Sequence, residues 1–227
     1  MQMKDPDDTI DDADGEHAAG NRSDSQPSLP FDDLPSPTDP PQDDHWHVGP
    51  EVKDLLDGVD WQMYEANVVQ SVREAVGKFC RLHNTVGTDK IYQISIWTDA
   101  QAGITAVNFE TRQHADEFRE TWIQQWQEGG RGEWAEEMVR LPYSSSPADF
   151  KYKEFLVVRH PELERLMELD YSVAEKSKAA NVWIEASLLR VVERIVAEDT
   201  LSGLPREDVV WIGISSPRDW YDHVRKI

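Results

Sequence analysis

Lys90-Ile-Tyr-Gln-Ile-Ser-Ile-Trp97 and Ile104-Thr-Ala-Val-Asn-Phe109 decide how this chain folds. In the first run Tyr92, Ile94 and Ile96 alternate with Gln93 and Ser95, the two-residue period of a strand with one apolar face. The second run is also strand-like. Thr98-Asp-Ala-Gln-Ala-Gly103 between them is turn-like, so the pair reads as a β-hairpin. Far downstream, Asp208-Val-Val-Trp-Ile-Gly-Ile214 is apolar nearly throughout, which suits a central strand covered on both faces.

Outward from the hairpin the periodicity becomes helical. Before it, Trp61, Tyr64, Val68, Val72, Val76 and Phe79 recur every three or four residues, making one apolar stripe on a helix capped by Asp60 and running to about His83. After it, Thr111 caps a helix carrying Phe118, Trp122, Ile123 and Trp126, and Gly129-Gly130-Arg131-Gly132 breaks it. The stretch Trp134 to Tyr143 is ambiguous. Ser146-Pro-Ala-Asp149 reads as a helix start, with proline at the first helical position and an acid at the positive dipole end. A short helix through Leu156 is expected from it, and another from Pro161 presenting Leu163, Leu166 and Met167.

Ser172-Val-Ala-Glu175 has the spacing of a capping box. It is expected to open the longest helix, to about Asp199, with Val173, Ala180, Ile184, Leu188, Val191 and Ile195 on one face and Trp183, Leu189 and Val192 widening it. Gly203 and Pro205 end that helix. Ser216-Pro-Arg-Asp219 repeats the earlier start signal and predicts a short terminal helix. The fold class is therefore α+β: a small, partly antiparallel sheet packed with helices, with a long helix near the C-terminus.

Charge divides the chain. It has 227 residues with 23 Lys and Arg against 44 Asp and Glu, a net charge of −21. Residues 1–50 hold 13 of the acids and 2 of the bases, so this segment carries −11 and residues 51–227 carry −10. The first segment also has eight of the thirteen prolines and few apolar side chains, too few to offset its ordering entropy. It reads as a disordered acidic tail, 1–50, ahead of one α+β domain, 51–227. Within the tail, Leu29-Pro-Phe-Asp-Asp-Leu34 reads as linker, with a docking peptide as the alternative. The acidity argues against direct binding to nucleic acid or an anionic membrane, which require a basic surface. No export signal or membrane-length apolar run is present, so the expected location is the cytoplasm.

Chemistry is sparse. The single cysteine, Cys80, excludes an internal disulfide and multi-cysteine zinc sites. It reads as a buried small hydrophobe, and His83 is a weak partner for a catalytic thiol. Gly129–Gly132 follows a helix and lacks the lysine of a phosphate loop. Gly213-Ile-Ser215 lacks the second glycine of a nucleophile elbow. Asp43-Asp44-His45-Trp46-His47 has metal-ligand side chains but lies in the tail and reads as a solvated polar run. Asp219, Asp222 and His223 on the expected last helix read as a surface ion pair, and Glu136-Glu137 as a solvated face. No catalytic residue, metal or cofactor is assigned.

Nine tryptophans remain. Trp61, Trp122, Trp183 and Trp211 fall on expected apolar faces, where core packing explains them. Trp126, Trp134 and Trp220 fall near helix ends or loops, where tryptophan beside acids is an interface composition. They are the candidate partner-binding residues.

Tyr92-Gln-Ile-Ser-Ile-Trp-Thr-Asp99, the strand ending Val107-Asn-Phe-Glu-Thr111, the Ser146-Pro-Ala-Asp-Phe-Lys-Tyr152 segment and the closing strand Val209 to Ile214 together resemble an uncharacterised bacterial family, domain-of-unknown-function family 4303, over about residues 55–225. The small-residue run before the asparagine is only partly present, as Ala106-Val107. That resemblance implies no catalytic residue. Small acidic proteins of this kind are similar to immunity proteins of bacterial toxin systems. The expectation is a protein-binding module engaging a basic protein partner such as a cognate toxin. The alternatives are an enzyme with a dispersed acidic, metal-dependent site and an acidic nucleic-acid mimic.

Overall fold

A computed structural model describes residues 49–86, 89–130, 146–215 and 223–227. Residues 1–48 of the expected tail (1–50) and the ambiguous Trp134–Tyr143 stretch lie outside the described residues, and Pro50 already belongs to the first helix. The described chain is α+β. Helix α1 (Pro50–Asp57) leads into α2 (Trp61–Val86), followed by the hairpin β1 (Ile91–Asp99) and β2 (Ile104–Thr111) and by helix α3 (Arg112–Glu128). A 3-10 turn at Pro147–Asp149 precedes β3 (Tyr152–Arg159), and a 3-10 helix (Pro161–Glu168) follows it. Helix α4 (Ala174–Ala197), β4 (Arg206–Ser215) and β5 (His223–Lys226) complete it.

The described strands form one sheet in the order β3-β2-β1-β4-β5. The hairpin is antiparallel, with Ile94 opposite Phe109 and Ser95 opposite Asn108. β4 joins β1 in parallel, with Ile94 beside Ile212 and Ser95 beside Gly213. β3 and β5 add antiparallel edges to β2 and β4.

One face of this sheet carries the hydrophobic core. Tyr64, Val68, Val72, Val76 and Phe79 of α2 are buried against Ile94, Ile96, Val107, Phe109, Ile212 and Ile214, with Ile184, Leu188, Val191 and Ile195 of α4 closing the layer. Each such aliphatic side chain contributes about 1.5–3 kcal/mol on burial. A bulge between Ile91 and Gln93 puts Ile91 on the core face beside Ile94. Tyr92, expected there from simple alternation, is buried outside the core cluster beneath the Arg112 guanidinium, 4.2 Å from its ring centroid.

The Asp60 cap forms, its carboxylate accepting from the Met63 N–H at 2.9 Å. The Thr111 cap forms too, accepting from His114 N–H at 3.3 Å. Gly129 and Gly130 (φ +73°) end α3 as expected.

Several expectations fail for identifiable reasons. The Ser146-Pro start yields only a three-residue 3-10 turn, and Ser146 makes no side-chain cap bond. Tyr152-Lys-Glu-Phe-Leu-Val-Val-Arg159 becomes a strand, not a helix, because its aromatic and β-branched side chains suit the pleat and β2 offers an unpaired edge. The segment from Pro161 is a 3-10 helix; its three-residue repeat buries both Leu163 and Leu166. At the start of α4 the N-cap is Val173 rather than Ser172, whose hydroxyl donates to Asp170 Oδ1 at 2.6 Å. With 24 residues, α4 is shorter than α2, with 26. The terminal helix is replaced at His223–Lys226 by β5, which satisfies the free edge of β4; Ser216–Asp222 lie outside the described residues.

Candidate functional site: the polar sheet face and helix α3

The second face of the sheet is built from the residues that alternate with the core: Gln93, Ser95 and Trp97 of β1, Ala106, Asn108 and Glu110 of β2, and Trp211 and Gly213 of β4. Alternation of this kind ordinarily leaves the polar positions to solvent. Here Gln93, Ser95, Asn108 and Glu110 are all buried. Helix α3 packs against β1 and β2 and contributes no residue to the core cluster, which places it over this second face.

Asn108 and Glu110 hold the start of β3. Asn108 Oδ1 accepts from the Glu154 N–H at 2.7 Å, and its Nδ2 donates to Ser95 O at 3.3 Å. Glu110 Oε1 accepts from the backbone N–H of Thr111 at 2.8 Å and of Lys151 at 3.2 Å. Both Glu110 oxygens also meet His114 Nδ1, at 3.1 and 3.0 Å. Burial pushes the Glu110 carboxyl above its ordinary range, opposed by the bonds from His114 and Thr111. When ionised, that carboxylate only accepts, so the proton between the two groups then lies on Nδ1, which in a neutral imidazole leaves Nε2 as the acceptor. His114 is one third exposed on its side chain. A buried carboxylate that orients a part-exposed imidazole is an arrangement capable of proton transfer.

His114 is also the first rung of an aromatic ladder. Its ring stacks on Phe118 at 6.2 Å, Phe118 meets Trp122 at 5.9 Å, and Trp122 meets Trp126 edge-on at 5.1 Å. All four rings are half-buried, and Ala115 is the one buried residue of α3. Asp116, Glu117, Glu120 and Glu128 share the helix with them.

Of the candidate partner-binding residues, Trp126 stands at the end of this ladder; Trp134 and Trp220 lie outside the described residues, as do Asp43–His47, Glu136-Glu137, Asp219 and Asp222. The other tryptophans divide. Trp61 is core and stacks on half-buried Trp183 at 5.5 Å. Trp122 and Trp211, expected in the core, belong to the second face and are half-buried there, because α3 and the odd-numbered positions of β4 face away from α2. Cys80 is half-buried against the core rather than fully buried, its Sγ donating to Gly203 O at 3.2 Å, while His83 stacks on Phe79. Gly213 and Ser215 sit within β4, with no strand-to-helix elbow between them. Among the described residues no group of three or more His, Cys, Asp or Glu is placed to hold a metal ion, and no helix is long and apolar enough to cross a membrane. Sequence reasoning missed Glu110 and His114. Their four-residue spacing across the Thr111 cap was the available signal.

No protein-family model matches the chain, and neither a curated protein nor a solved structure is found similar to it.

Proposed function

We propose that the chain is a protein-binding module that takes a basic protein partner on the aromatic ladder of α3, in the manner of an immunity protein neutralising a cognate toxin. The observation that carries this reading is the run His114–Phe118–Trp122–Trp126, four rings in mutual contact and half-exposed on a helix that also bears four acids. Aromatic side chains are the anchors of interfaces. The net −10 of residues 51–227 steers a positively charged partner toward such a surface and raises its on-rate. The same charge disfavours nucleic acid as the direct partner.

The test is co-purification of the full chain with the product of the neighbouring gene, at low and high salt, with Trp122→Ala and Trp126→Ala in parallel. Binding that weakens with salt and falls at least tenfold in either variant supports the reading. If no neighbouring product binds and cells lacking the protein survive that product, the reading is wrong.

A second reading, an acid–base site, rests on the Glu110–His114 pair alone. It requires that an acylating reagent modify His114 at Nε2 faster than His83, and that Glu110→Gln remove the difference.

A further inference from the structure

His160 is the most deeply buried imidazole among the described residues, 1% exposed. It sits at the junction of β3 and the 3-10 helix Pro161–Glu168. Its backbone N–H donates to Gly103 O in the hairpin turn at 2.8 Å. Its ring stands edge-on to Tyr64 of α2, centroids 5.1 Å apart. Neither ring nitrogen has a hydrogen-bond partner, and Glu162 Oε2 has none either. Nδ1 and that oxygen are 3.9 Å apart, beyond hydrogen-bond reach. Buried polar atoms without a protein partner are uncommon in folded proteins, and three of them adjoin here.

The surroundings define what that site responds to. Glu162 Oε1 is already committed to Asn67 Nδ2 of α2 at 2.7 Å. The Tyr64 hydroxyl is engaged with Thr98 at 2.8 Å, and Thr98 with Thr105 at 2.8 Å. Tyr64 is pushed up to about 12 by burial and stays neutral throughout the physiological range. Among the described residues, Glu162 is the one charged group acting on the imidazole. Burial, opposed only by that carboxylate, holds the His160 imidazole below its ordinary value.

We infer that His160 is a proton-operated latch: neutral, it keeps the 3-10 segment Pro161–Glu168 seated on α2, and protonation releases that segment. An imidazolium here would be buried without a hydrogen bond, so the seated segment excludes the proton. Opening exposes His160 and lets it bind one. The sign follows from linkage: the open state binds the proton near pH 6.5 and the seated state only at lower pH, so seating weakens as pH falls below about 6.5, by up to tenfold per unit. The segment is suited to opening by itself. It is held by Leu163 and Leu166 in the core, by Glu162 on Asn67, by Arg165 against Gly58, by Met167 against Gly103 and Arg159, and by His160 on the hairpin, and it contributes no strand to the sheet.

Hydrogen exchange of the full chain tests this, read as protection factors at pH 7.5, 6.5, 5.5 and 5.0. The expected result is that the amides of His160, Leu163 and Leu169 lose protection by roughly tenfold per unit below about 6.5, while the Val72 amide in α2 does not. His160→Phe keeps a ring against Tyr64 without a titrating group, and its protection is expected to be independent of pH. Should that variant not fold, the imidazole ¹⁵N shifts of His160 in the unaltered protein decide: they are expected to titrate below 6.5 and in step with the loss of protection. A His160 that titrates with its segment still protected, a loss shared equally by Val72, or a pH-dependent loss that persists in His160→Phe would each overturn the latch.

Discussion

The side chain of Asn108 holds the backbone of Glu154 in a left-handed conformation. Asn108 Oδ1 accepts from the Glu154 N–H at 2.7 Å, and Glu154 has φ +48°. The register between β2 and β3 shifts at this point, between Val107 and Phe109. An extra pair of residues is accommodated on β3, and Asn108 replaces the ladder bond that the bulge removes.

Asn108→Ala leaves the Glu154 N–H and the Ser95 carbonyl without that side chain, and is expected to cost about 2 kcal/mol. Glu154→Gly relaxes the left-handed backbone but gives up unfolded-state order, so it is expected to change stability by less than about 1 kcal/mol. Urea unfolding of both variants checks the pair. Equal losses would mean that the Glu154 side chain, not its backbone, is what matters.

The same bulge explains why β3 was illegible. Lys153 and Glu154 interrupt the alternation that would have marked Tyr152–Arg159 as a strand, and the Ser146-Pro signal directly before it is a true turn signal that goes no further than Asp149. β5 is four residues long and is defined only by its pairing with β4. By contrast α2, the hairpin and β4 announce themselves, because each carries enough periodic apolar residues to cover the core without help from a partner's edge. The candidate site follows the same division. Trp126 was legible as an aromatic beside acids. Glu110 and Asn108 act on backbone 41 and 46 residues away, a relation that local spacing does not encode.

Glu65 and Arg190 join the two long helices. Arg190 Nε and Nη2 reach Glu65 Oε1 at 2.8 and 2.7 Å, and Arg190 Nη2 also donates to Ser187 Oγ at 3.0 Å. Both side chains are largely buried, 7% exposed for Glu65 and 14% for Arg190. Removing one partner strands a buried charge. Arg190→Met or Glu65→Met alone is expected to cost about 3–5 kcal/mol, and the double substitution much less than the sum of the two. A double-mutant cycle in denaturant measures it; additive losses would show that the two charges do not depend on each other.

Asp89 ties the chain ahead of β1 to the start of β3. Its Oδ2 accepts from Lys151 Nζ at 2.6 Å and from the Tyr152 hydroxyl at 2.5 Å. The Lys151 bond, then the Tyr152 bond, hold its carboxyl below the ordinary value of 3.8. A carboxylate lowered in the folded state contributes stability that is fully present above 3.8 and is lost as pH falls through its own lower folded value. The stability difference between the unaltered protein and Asp89→Asn is therefore expected to be constant from pH 7 to about 4.5 and to shrink only in stronger acid. Thermal melts of both proteins across that range check it. This window lies below the one expected for His160, so the two effects are separable in one titration.

Trp61 and Trp126 differ in what their loss does. Trp61 is 8% exposed, stacks on Trp183, meets Tyr64 edge-on at 6.0 Å and donates from Nε1 to Leu56 O at 3.0 Å. Trp61→Ala opens a cavity where α1, α2 and α4 meet and is expected to cost about 3–5 kcal/mol. Trp126 is half-buried near the end of α3, with Trp122 as its ring partner. Its truncation is expected to cost about 1 kcal/mol, the worth of an aromatic pair, and, under the proposed function, to weaken the proposed complex at least tenfold. Chemical denaturation of the two variants distinguishes a packing tryptophan from a docking one. If Trp126→Ala loses as much stability as Trp61→Ala, the α3 ladder is a second core layer, and the binding surface has to be sought elsewhere on the domain.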